Sequence, residues 1–276
     1  MTPLKIGAAL MIDDIATHRD WLFSESRDLE IQNFFHADVY RDGWQDTVDR
    51  AKTAIDGFDG RLGIHGPFVG LDVACADPDV APVIGKRYAE AVEAAAALGA
   101  RQMVVHSPFD NWHEYNRFNF IPPGYDSVVA KVAEDVKAVL SPALHLGEEH
   151  GVQLVLENIK DITPQIRREM VEIIGSPALA LSIDTGHAQI AQRASDAPPV
   201  DVYVRDAGDL LRHVHLQDTD GYADRHWAPG EGHIEWLEVF RALAALGSAP
   251  HLVLELKRHE DIPAGFAYLK SLGAVI

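Results

Sequence analysis

Cysteine and long apolar runs are both scarce in this 276-residue sequence. Cys75 is the single cysteine, so no disulfide can form within the chain, and this favours a reducing, cytoplasmic location. No apolar stretch approaches the ~18 residues that a membrane helix needs. We therefore expect no membrane partner.

Positive charge is also limited. Lys and Arg number 24 against 42 Asp and Glu, for a formal net charge of −18, and no run of basic residues stands out. Binding to nucleic acid depends largely on neutralising phosphates with Lys and Arg. We therefore expect a small-molecule substrate and no nucleic-acid partner.

The sequence has no low-complexity segment and no obvious linker. Instead, short apolar runs alternate with helix-compatible stretches, which predicts a parallel sheet. Eight such units in this length match a (β/α)8 TIM barrel forming a single domain over residues 1–276. An open doubly wound sheet is the alternative, but no glycine-rich phosphate fingerprint follows the first run. The eight runs are 4–10, 29–34, 61–65, 101–106, 152–157, 179–184, 211–216 and 251–256.

Six consecutive runs, the third to the eighth, carry a histidine or a carboxylate at or near their carboxyl ends. In a barrel of this type those ends form the active-site face. Because strand side chains alternate with a period of two, we expect these six to point inward on one rim. They are His65, His106, Glu157, Asp184, His215 and Glu255.

Each of these residues has an ordinary interpretation when taken alone. Asp184 could cap a helix or a turn, and a histidine at a strand end is often a satisfied polar residue. Crowded buried carboxylates, however, repel one another unless a cation neutralises them. The set as a whole therefore predicts a metal site.

Further residues of ligand type follow the sixth and seventh runs. His187 comes just after Asp184 in "SIDTGHAQ", and Asp224 and His226 lie two apart in the loop 218–236. Trp112, in the loop after the fourth run, is a candidate for the wall of a substrate pocket. His213 and His233 are interpreted as a deeper barrel histidine and a surface histidine.

The sequence resembles the xylose-isomerase-like TIM-barrel superfamily, which includes sugar and sugar-phosphate isomerases and epimerases and the endonuclease IV group. The resemblance rests on "IHGPF", "VVHSPF", "LVLENI", "SIDTGHA", "HVHLQD", "DRHWAPGEGHIEW" and "LVLELK". It covers essentially the whole chain. Members are often dimers or tetramers, which leaves a homo-oligomer open.

The resemblance implies two site designs. In the epimerase-like design, the residues matching Glu157, Asp184, His215 and Glu255 hold one divalent metal. The two glutamates serve as acid and base beside a carbonyl that the metal polarises, and His187, His65, His106 and Trp112 are candidates to bind substrate. In the endonuclease-like design, nine residues hold three zinc ions, adding His65, His106, His187, Asp224 and His226 to those four.

The two designs differ in metal and reaction. Three carboxylates with one histidine suit Mn²⁺, Co²⁺ or Mg²⁺, whereas added histidines favour Zn²⁺. We expect an isomerase or epimerase of a sugar, a polyol-derived ketone or a sugar phosphate. The alternative is a multinuclear zinc hydrolase of a small phosphoester or another ester. A barrel that keeps the metal for structure, or that senses a ligand, is a third possibility.

Overall fold

Eight parallel strands form the centre of the molecule in the computed structural model, which describes residues 3–116 and 121–276. The sixth and seventh apolar runs match their strands residue for residue, and the first strand is three residues shorter than its run at the amino end. The strands are β1 (Gly7–Leu10), β2 (Leu29–Ile31), β3 (Leu62–His65), β4 (Gln102–His106), β5 (Gln153–Glu157), β6 (Leu179–Asp184), β7 (Leu211–Leu216) and β8 (His251–Leu254).

The sheet is a closed barrel. Every strand pairs in parallel with its neighbours in sequence, and β1 also pairs with β8 through Gly7 opposite Val253 and Ala8 opposite Leu254. An open doubly wound sheet would leave two edge strands, each with only one neighbour. The pairing of β1 with β8 therefore confirms the predicted (β/α)8 barrel.

Helices connect the strands and cover the outside of the barrel. Gly99 and Gly151 follow the two longest helices, Ala81–Leu98 and Val128–His150, in the left-handed conformation that glycine adopts without steric cost. The helices are α1 (Ile15–Phe23), α2 (Asp38–Arg41), α3 (Gln45–Ala54), α4 (Ala81–Leu98), α5 (Asn111–Asn116), α6 (Val128–His150), α7 (Pro164–Ile174), α8 (Thr185–Ser195), α9 (Val200–Ala207), α10 (Trp236–Ala244) and α11 (Ile262–Ser271).

Prolines bear on two of the connections. Pro142 predicts a kink or a break, and α6 continues through it without a break. Between β6 and β7 the sequence predicts a helix only over residues 200–211. The structure has an additional helix, α8, which begins directly at Thr185, and the second helix, α9, ends at Ala207. The interruption at Pro198 and Pro199 falls between these two helices, so the connection contains both.

The apolar core lies mainly between the barrel and its helices. A separate small cluster consists of Val104, Val155 and Ala180. These three precede His106, Glu157 and Ser182 by two residues on β4, β5 and β6, so they share the inward face. They fill the barrel below its polar rim. In the ranges 3–116 and 121–276, none of the helices is long and apolar enough to cross a bilayer.

Candidate metal centre

The carboxyl ends of the strands bring the predicted residues together. Within the described residues, four groups form in which one ligand atom from each residue lies within 4.8 Å of the others, and three of them consist only of predicted ligands. Glu157 belongs to two of those three. They are Glu157, Asp184, His215 and Glu255; His65, His106 and Glu157; and His187, Asp224 and His226, whereas the fourth group consists of Glu30, His213 and His215.

Glu157, at the end of β5, is the centre of this arrangement. Its Oε1 lies 2.8 Å from Nδ1 of His215, and its Oε2 lies 3.5 Å from Nε2 of His106 and 3.9 Å from Nε2 of His65. Oε2 is buried and has no hydrogen-bond partner within residues 3–116 and 121–276. A buried, unpaired carboxylate oxygen is costly, and a cation at this point would offset that cost.

Asp184 serves both as helix cap and as candidate ligand. Its Oδ1 accepts a hydrogen bond from the backbone N–H of His187 at 2.6 Å, which fixes the first turn of α8. Asn158 bonds both backbone groups of Asp184, with its Nδ2 donating to the carbonyl at 3.0 Å and its Oδ1 accepting from the N–H at 2.9 Å. The cap and the ligand geometry are therefore set by the same contacts.

Asn158 and Gln217 are residues that the sequence reasoning missed. Gln217 is fully buried, and its Nε2 donates to Asp224 at 3.0 Å and to Asp184 at 3.2 Å. Each directly follows a strand that carries a predicted ligand. That position is the only sequence signal for them.

The loop after β7 is held by one buried carboxylate, Asp218. Its Oδ2 accepts from the backbone N–H of Gly230 at 2.8 Å and from Nε1 of Trp236 at 2.9 Å, and its Oδ1 accepts from the N–H of Ile234 at 3.3 Å. These bonds draw both ends of the loop together. Asp224 and His226 lie on the segment so closed.

His226 has a left-handed backbone, with φ of 49°, which is uncommon for a residue other than glycine. Its Nδ1 lies 3.1 Å from the carbonyl oxygen of Glu255, and its Nε2 lies 3.1 Å from Asp224. Strained backbone of this kind concentrates at functional sites. Here it directs the ring toward the other polar groups.

Glu255 follows β8 directly and accepts a hydrogen bond from Gln32 Nε2 at 2.7 Å. A further carboxylate, Glu30 on β2, lies deeper and was not predicted. Its Oε1 is 3.0 Å from Nε2 of His215, and its Oε2 is 3.2 Å from Nε2 of His213. His213 is buried in the barrel, as predicted, and His233 is exposed at the surface.

The pKa values in the site are set by burial, which disfavours charged groups, and by neighbouring charges, which can oppose that effect. Burial alone would lower the pKa of His215, but the carboxylates of Glu255, Glu30 and Glu157 outweigh it and hold that pKa well above its ordinary value. Burial, reinforced by neighbouring carboxylates, raises the pKa of Asp184 to about 6. Protons therefore compensate the carboxylates in the absence of any other cation.

Burial dominates for His106 and lowers its pKa to about 3. The opposite holds for His226, where burial is outweighed by a hydrogen bond to Asp224 and by the carboxylates of Glu255 and Asp184. These contacts raise its pKa to about 9. A neutral histidine next to Glu157 and a cluster of converging carboxylates make a donor set that fits a divalent metal ion.

The cavity at this rim has a volume of about 250 Å³ and is lined by both polar and aromatic side chains. Phe68 stacks on His106 at 4.1 Å between ring centroids and forms part of the wall with Phe35. A larger cavity of about 520 Å³ adjoins it, sharing Asp224 and His226. A ligand larger than the inner cavity would extend into the outer one.

Trp112 is not among the residues that line the inner cavity. It lies on α5, and its side chain is exposed. Residues 117–120 of the same connection lie outside the described residues. A substrate contact through Trp112 stays a prediction.

The profile of the family described as "Xylose isomerase-like TIM barrel" matches residues 28–272. An uncharacterized protein of Methanocaldococcus jannaschii, MJ1311, is 27% identical over 212 residues, which is 75% of this chain and 68% of that protein. Fructoselysine 3-epimerase of Escherichia coli O157:H7 is 29% identical over 123 residues. That alignment covers 42% of this chain and 43% of the epimerase.

Solved structures share the fold over nearly the full chain. A D-tagatose 3-epimerase-like protein has a TM-score of 0.74 and 24% identity, covering 97% of this chain and 96% of its own. The TTHB071 protein from Thermus thermophilus, soaked with ZnCl2, has a TM-score of 0.72 and 25% identity, covering 98% of both chains.

Proposed function

Because the chain belongs to the xylose isomerase-like TIM barrel family, we propose that it is a divalent-metal-dependent isomerase or epimerase of a sugar, a polyol-derived ketone or a sugar phosphate. The observation that carries the proposal is the position of two carboxylates around one histidine. Oε1 of Glu157 lies 2.8 Å from Nδ1 of His215, and Oε2 of Glu255 lies 3.4 Å from the same atom.

Two carboxylates that face the same part of the cavity suit the chemistry of epimerisation. Epimerisation next to a carbonyl requires one group to remove a proton and a second group to return a proton from the other side. We assign these roles to Glu157 and Glu255. Gln32 holds Glu255 through its 2.7 Å hydrogen bond, and His215 holds Glu157, so each carboxylate has a fixed orientation.

A divalent cation held by Glu157, Asp184, His215 and Glu255 would polarise the substrate carbonyl and stabilise the charge that develops on it. His187, His65 and His106 line the inner cavity, and we assign them to the substrate hydroxyls. Phe35 and Phe68 stack with ring centroids 5.5 Å apart and provide an apolar wall of the same cavity.

The similarity to fructoselysine 3-epimerase supports a ketose or ketose derivative as substrate. The inner cavity suits a compact sugar, and the outer cavity provides room for a substituent beyond it. The outer cavity includes Lys257, whose ammonium group has no partner within residues 3–116 and 121–276. A substituent with an acceptor group could pair with it.

The test is proton exchange during turnover. The protein, loaded separately with Mn²⁺, Co²⁺, Mg²⁺ or Zn²⁺, is incubated in D2O with D-fructose, D-tagatose, D-psicose, L-ribulose and fructoselysine. NMR then follows deuterium entering the carbon next to the carbonyl. We expect exchange and a new epimer or isomer with at least one of these compounds.

Variants tie that exchange to the assigned residues. Glu157→Gln and Glu255→Gln should each lower turnover by roughly 10²–10⁴-fold, the usual contribution of acid–base groups. Glu169→Gln, an exposed carboxylate on α7, is the matched control and should leave turnover unchanged. Normal turnover in Glu255→Gln would refute the mechanism.

A multinuclear zinc hydrolase is the second candidate. The observation that favours it is that all nine predicted ligands fall into three adjoining groups, with Glu157 shared between two. Such a site could generate a hydroxide and stabilise an attacked phosphoester or other ester. Turnover of p-nitrophenyl phosphate or acetate esters by zinc-loaded protein, with no proton exchange on any ketose, would favour this candidate over the first.

Three further expectations belong to the same proposal. Mn²⁺, Co²⁺ or Mg²⁺ fits a single-metal enzyme, and Zn²⁺ fits a multinuclear one. Residues 1–276 act as one domain without a nucleic-acid partner, given the net charge of −18. A single cysteine is in keeping with a cytoplasmic location.

A further inference from the structure

Glu30 is a buried carboxylate inside the barrel that belongs to none of the ligand groups discussed for the proposed function. It lies in the middle of β2, opposite Ala9 of β1 and Gly63 of β3, and its exposed fraction is 2%. A carboxylate this deep is costly unless it is paired and hydrogen-bonded.

The partners of Glu30 are two histidines on one face of β7. Its Oε1 lies 3.0 Å from Nε2 of His215, and its Oε2 lies 3.2 Å from Nε2 of His213. The two imidazole rings are perpendicular, with centroids 4.6 Å apart. Each oxygen of the carboxylate thus lies near a ring nitrogen, as a hydrogen bond for His215 and as a 3.2 Å contact for His213, whose Nε2 makes no hydrogen bond within the described residues.

His213 is in turn held from the neighbouring strand. Oγ of Ser182 lies 2.9 Å from Nδ1 of His213, and these two residues are direct partners in the β6–β7 register. Ser182, His213, Glu30 and His215 therefore form a continuous buried chain of polar groups. It begins below the rim and ends at a candidate metal ligand.

The two nitrogens of His215 face different partners. Nε2 faces Glu30, whereas Nδ1 faces Glu157 and Glu255, the group that would hold the cation. A neutral imidazole has one donor nitrogen and one acceptor nitrogen, and an ionised carboxylate only accepts. A donor at Nε2 toward Glu30 leaves the lone pair of Nδ1 directed at the cation site.

We propose that Glu30 is a positioning residue that fixes the ring orientation and tautomer of His215, so that Nδ1 is the metal-binding atom, and that His213 and Ser182 hold Glu30 in place. Carboxylate–histidine–metal chains of this kind orient the ligand and increase its basicity. The inference rests on the metal site of the proposed function. It does not depend on which substrate is turned over.

The test measures zinc binding and the nitrogen atoms of His215 directly. Zinc affinity is determined by competition with a chromogenic chelator for the unaltered protein and for Glu30→Leu, Glu30→Gln and His213→Gln. Removing a group that supports a metal ligand typically lowers affinity 10–100-fold, so we expect a loss of that order for Glu30→Leu. Glu30→Gln should lose less, because its amide oxygen can still accept from Nε2.

The matched control is Gln102→Met. Gln102 is also a buried polar residue of the barrel, and its Nε2 donates to the carbonyl of Arg212 at 3.0 Å, but among the described residues its side chain has no hydrogen bond to a candidate ligand. This variant should be less stable, but its zinc affinity should change by no more than about twofold. That is well below the 10–100-fold loss expected for Glu30→Leu.

The second readout is long-range ¹H–¹⁵N NMR of zinc-loaded protein labelled on histidine. The signals of His215 are identified by their absence in His215→Gln. We expect a protonated Nε2 with a downfield, slowly exchanging proton and a zinc-bound Nδ1. In Glu30→Gln that proton should move upfield and exchange faster.

Three results would overturn the inference. The first is a zinc affinity for Glu30→Gln and Glu30→Leu equal to that of the unaltered protein. The second is a protonated Nδ1 in His215. The third is the loss of a whole zinc equivalent in both Glu30→Leu and His213→Gln while the His215 signals stay unchanged. The last would mean that Glu30 and His213 themselves hold a metal. Each of these results refutes the role of Glu30 and leaves the proposed function in place. If the unaltered protein bound no divalent metal at all, the proposed function itself would be refuted.

Discussion

The carboxylate of Glu157 connects two histidines on opposite sides of it. Its Oε1 lies 2.8 Å from Nδ1 of His215, and its Oε2 lies 3.5 Å from Nε2 of His106. One side chain therefore belongs to two of the ligand groups. Whether both groups bind metal decides between an isomerase with one cation and a hydrolase with several.

Metal content after substitution of His106 distinguishes these cases. In a one-metal enzyme His106 only contacts substrate, so His106→Gln should keep one equivalent of metal and raise KM. In a multinuclear enzyme the same change should remove about one equivalent. Elemental analysis of protein purified without chelators provides the measurement.

Glu157→Gln is the companion variant for that experiment. It should reduce metal content in both cases, because the glutamate belongs to the group with Asp184 and to the group with His65. Full metal content in Glu157→Gln would contradict the placement of the ligand centre at this residue.

The pH dependence of metal binding should include a contribution from His226, beside those of His187 and His215, whose pKa values are also raised. The pKa of His226, about 9, means that it holds a proton at neutral pH when no cation is bound, and a bound cation disfavours that proton whether His226 is a ligand or a neighbour. Metal affinity should therefore rise from pH 6.5 to 9, by up to about tenfold per unit for one proton. Calorimetry in buffers of different ionisation enthalpy measures the released protons.

The stability of protein stripped of metal should change in the opposite direction. A histidine whose folded pKa is raised contributes stability that is fully present below its unfolded value near 6.5. That contribution is lost as pH rises through about 9. The increase in Tm on adding metal should therefore become larger as the pH rises through this range. It should grow less in His226→Asn, whereas His233→Asn, at an exposed histidine, should behave as the unaltered protein.

Gly186 is required by close approach to a neighbouring side chain. A Cβ at this position would lie 2.2 Å from Cδ of Gln217, which is fully buried and bonded to Asp184 and Asp224. Gly186→Ala should therefore displace Gln217 and cost about 1–3 kcal/mol in the free energy of unfolding. Urea denaturation measures this loss, and metal affinity should fall with it.

Gly63→Ala is the matched control for Gly186→Ala. A Cβ at Gly63 would meet its nearest atom at 3.5 Å, an ordinary van der Waals contact. The double variant Gly186→Ala, Gln217→Ala should regain part of the stability but not the metal affinity. Equal stability of the Gly186→Ala variant and the unaltered protein would contradict the packing argument.

Asp218 should be essential to the loop that carries Asp224 and His226. Asp218→Asn replaces one acceptor oxygen with a donor that faces the N–H groups of Gly230 and Trp236 or of Ile234. Unpaired buried donors cost about 1–3 kcal/mol, so we expect that loss of stability together with weaker metal binding. Asp220→Asn changes a partly exposed carboxylate on the same loop and should have little effect on metal binding.

Hydrogen exchange provides a direct check of the loop. The N–H groups of Gly230 and Ile234 should exchange much faster in Asp218→Asn than in Asp220→Asn. Unchanged protection of these two amides would show that Asp218 does not hold the loop.

Part of this site could be predicted from local patterns. Glu157 and Asp184 end apolar runs, and His215 and Glu255 lie one residue before the ends of theirs, so the period of two and the position at the strand ends were sufficient to place them on one inward rim. Asp184 as a helix cap was also a valid local interpretation, because capping needs only the three residues that follow. The local sequence did not predict that α8 begins at this point, because Asp-Thr-Gly-His is equally compatible with a turn.

Other features required the tertiary structure. Glu30 lies in a strand of three residues, too short for its alternation to show which face is interior, and only closure of the barrel through β1 and β8 places it inside. The sequence by itself determined the order of the strands and the carboxyl-terminal residues of six of them, because both depend on local periodicity, whereas β2 and β8 end before their apolar runs do. Tertiary structure decided which nitrogen of His215 faces Glu30 and which faces Glu157, because those contacts join residues 185 and 58 positions apart.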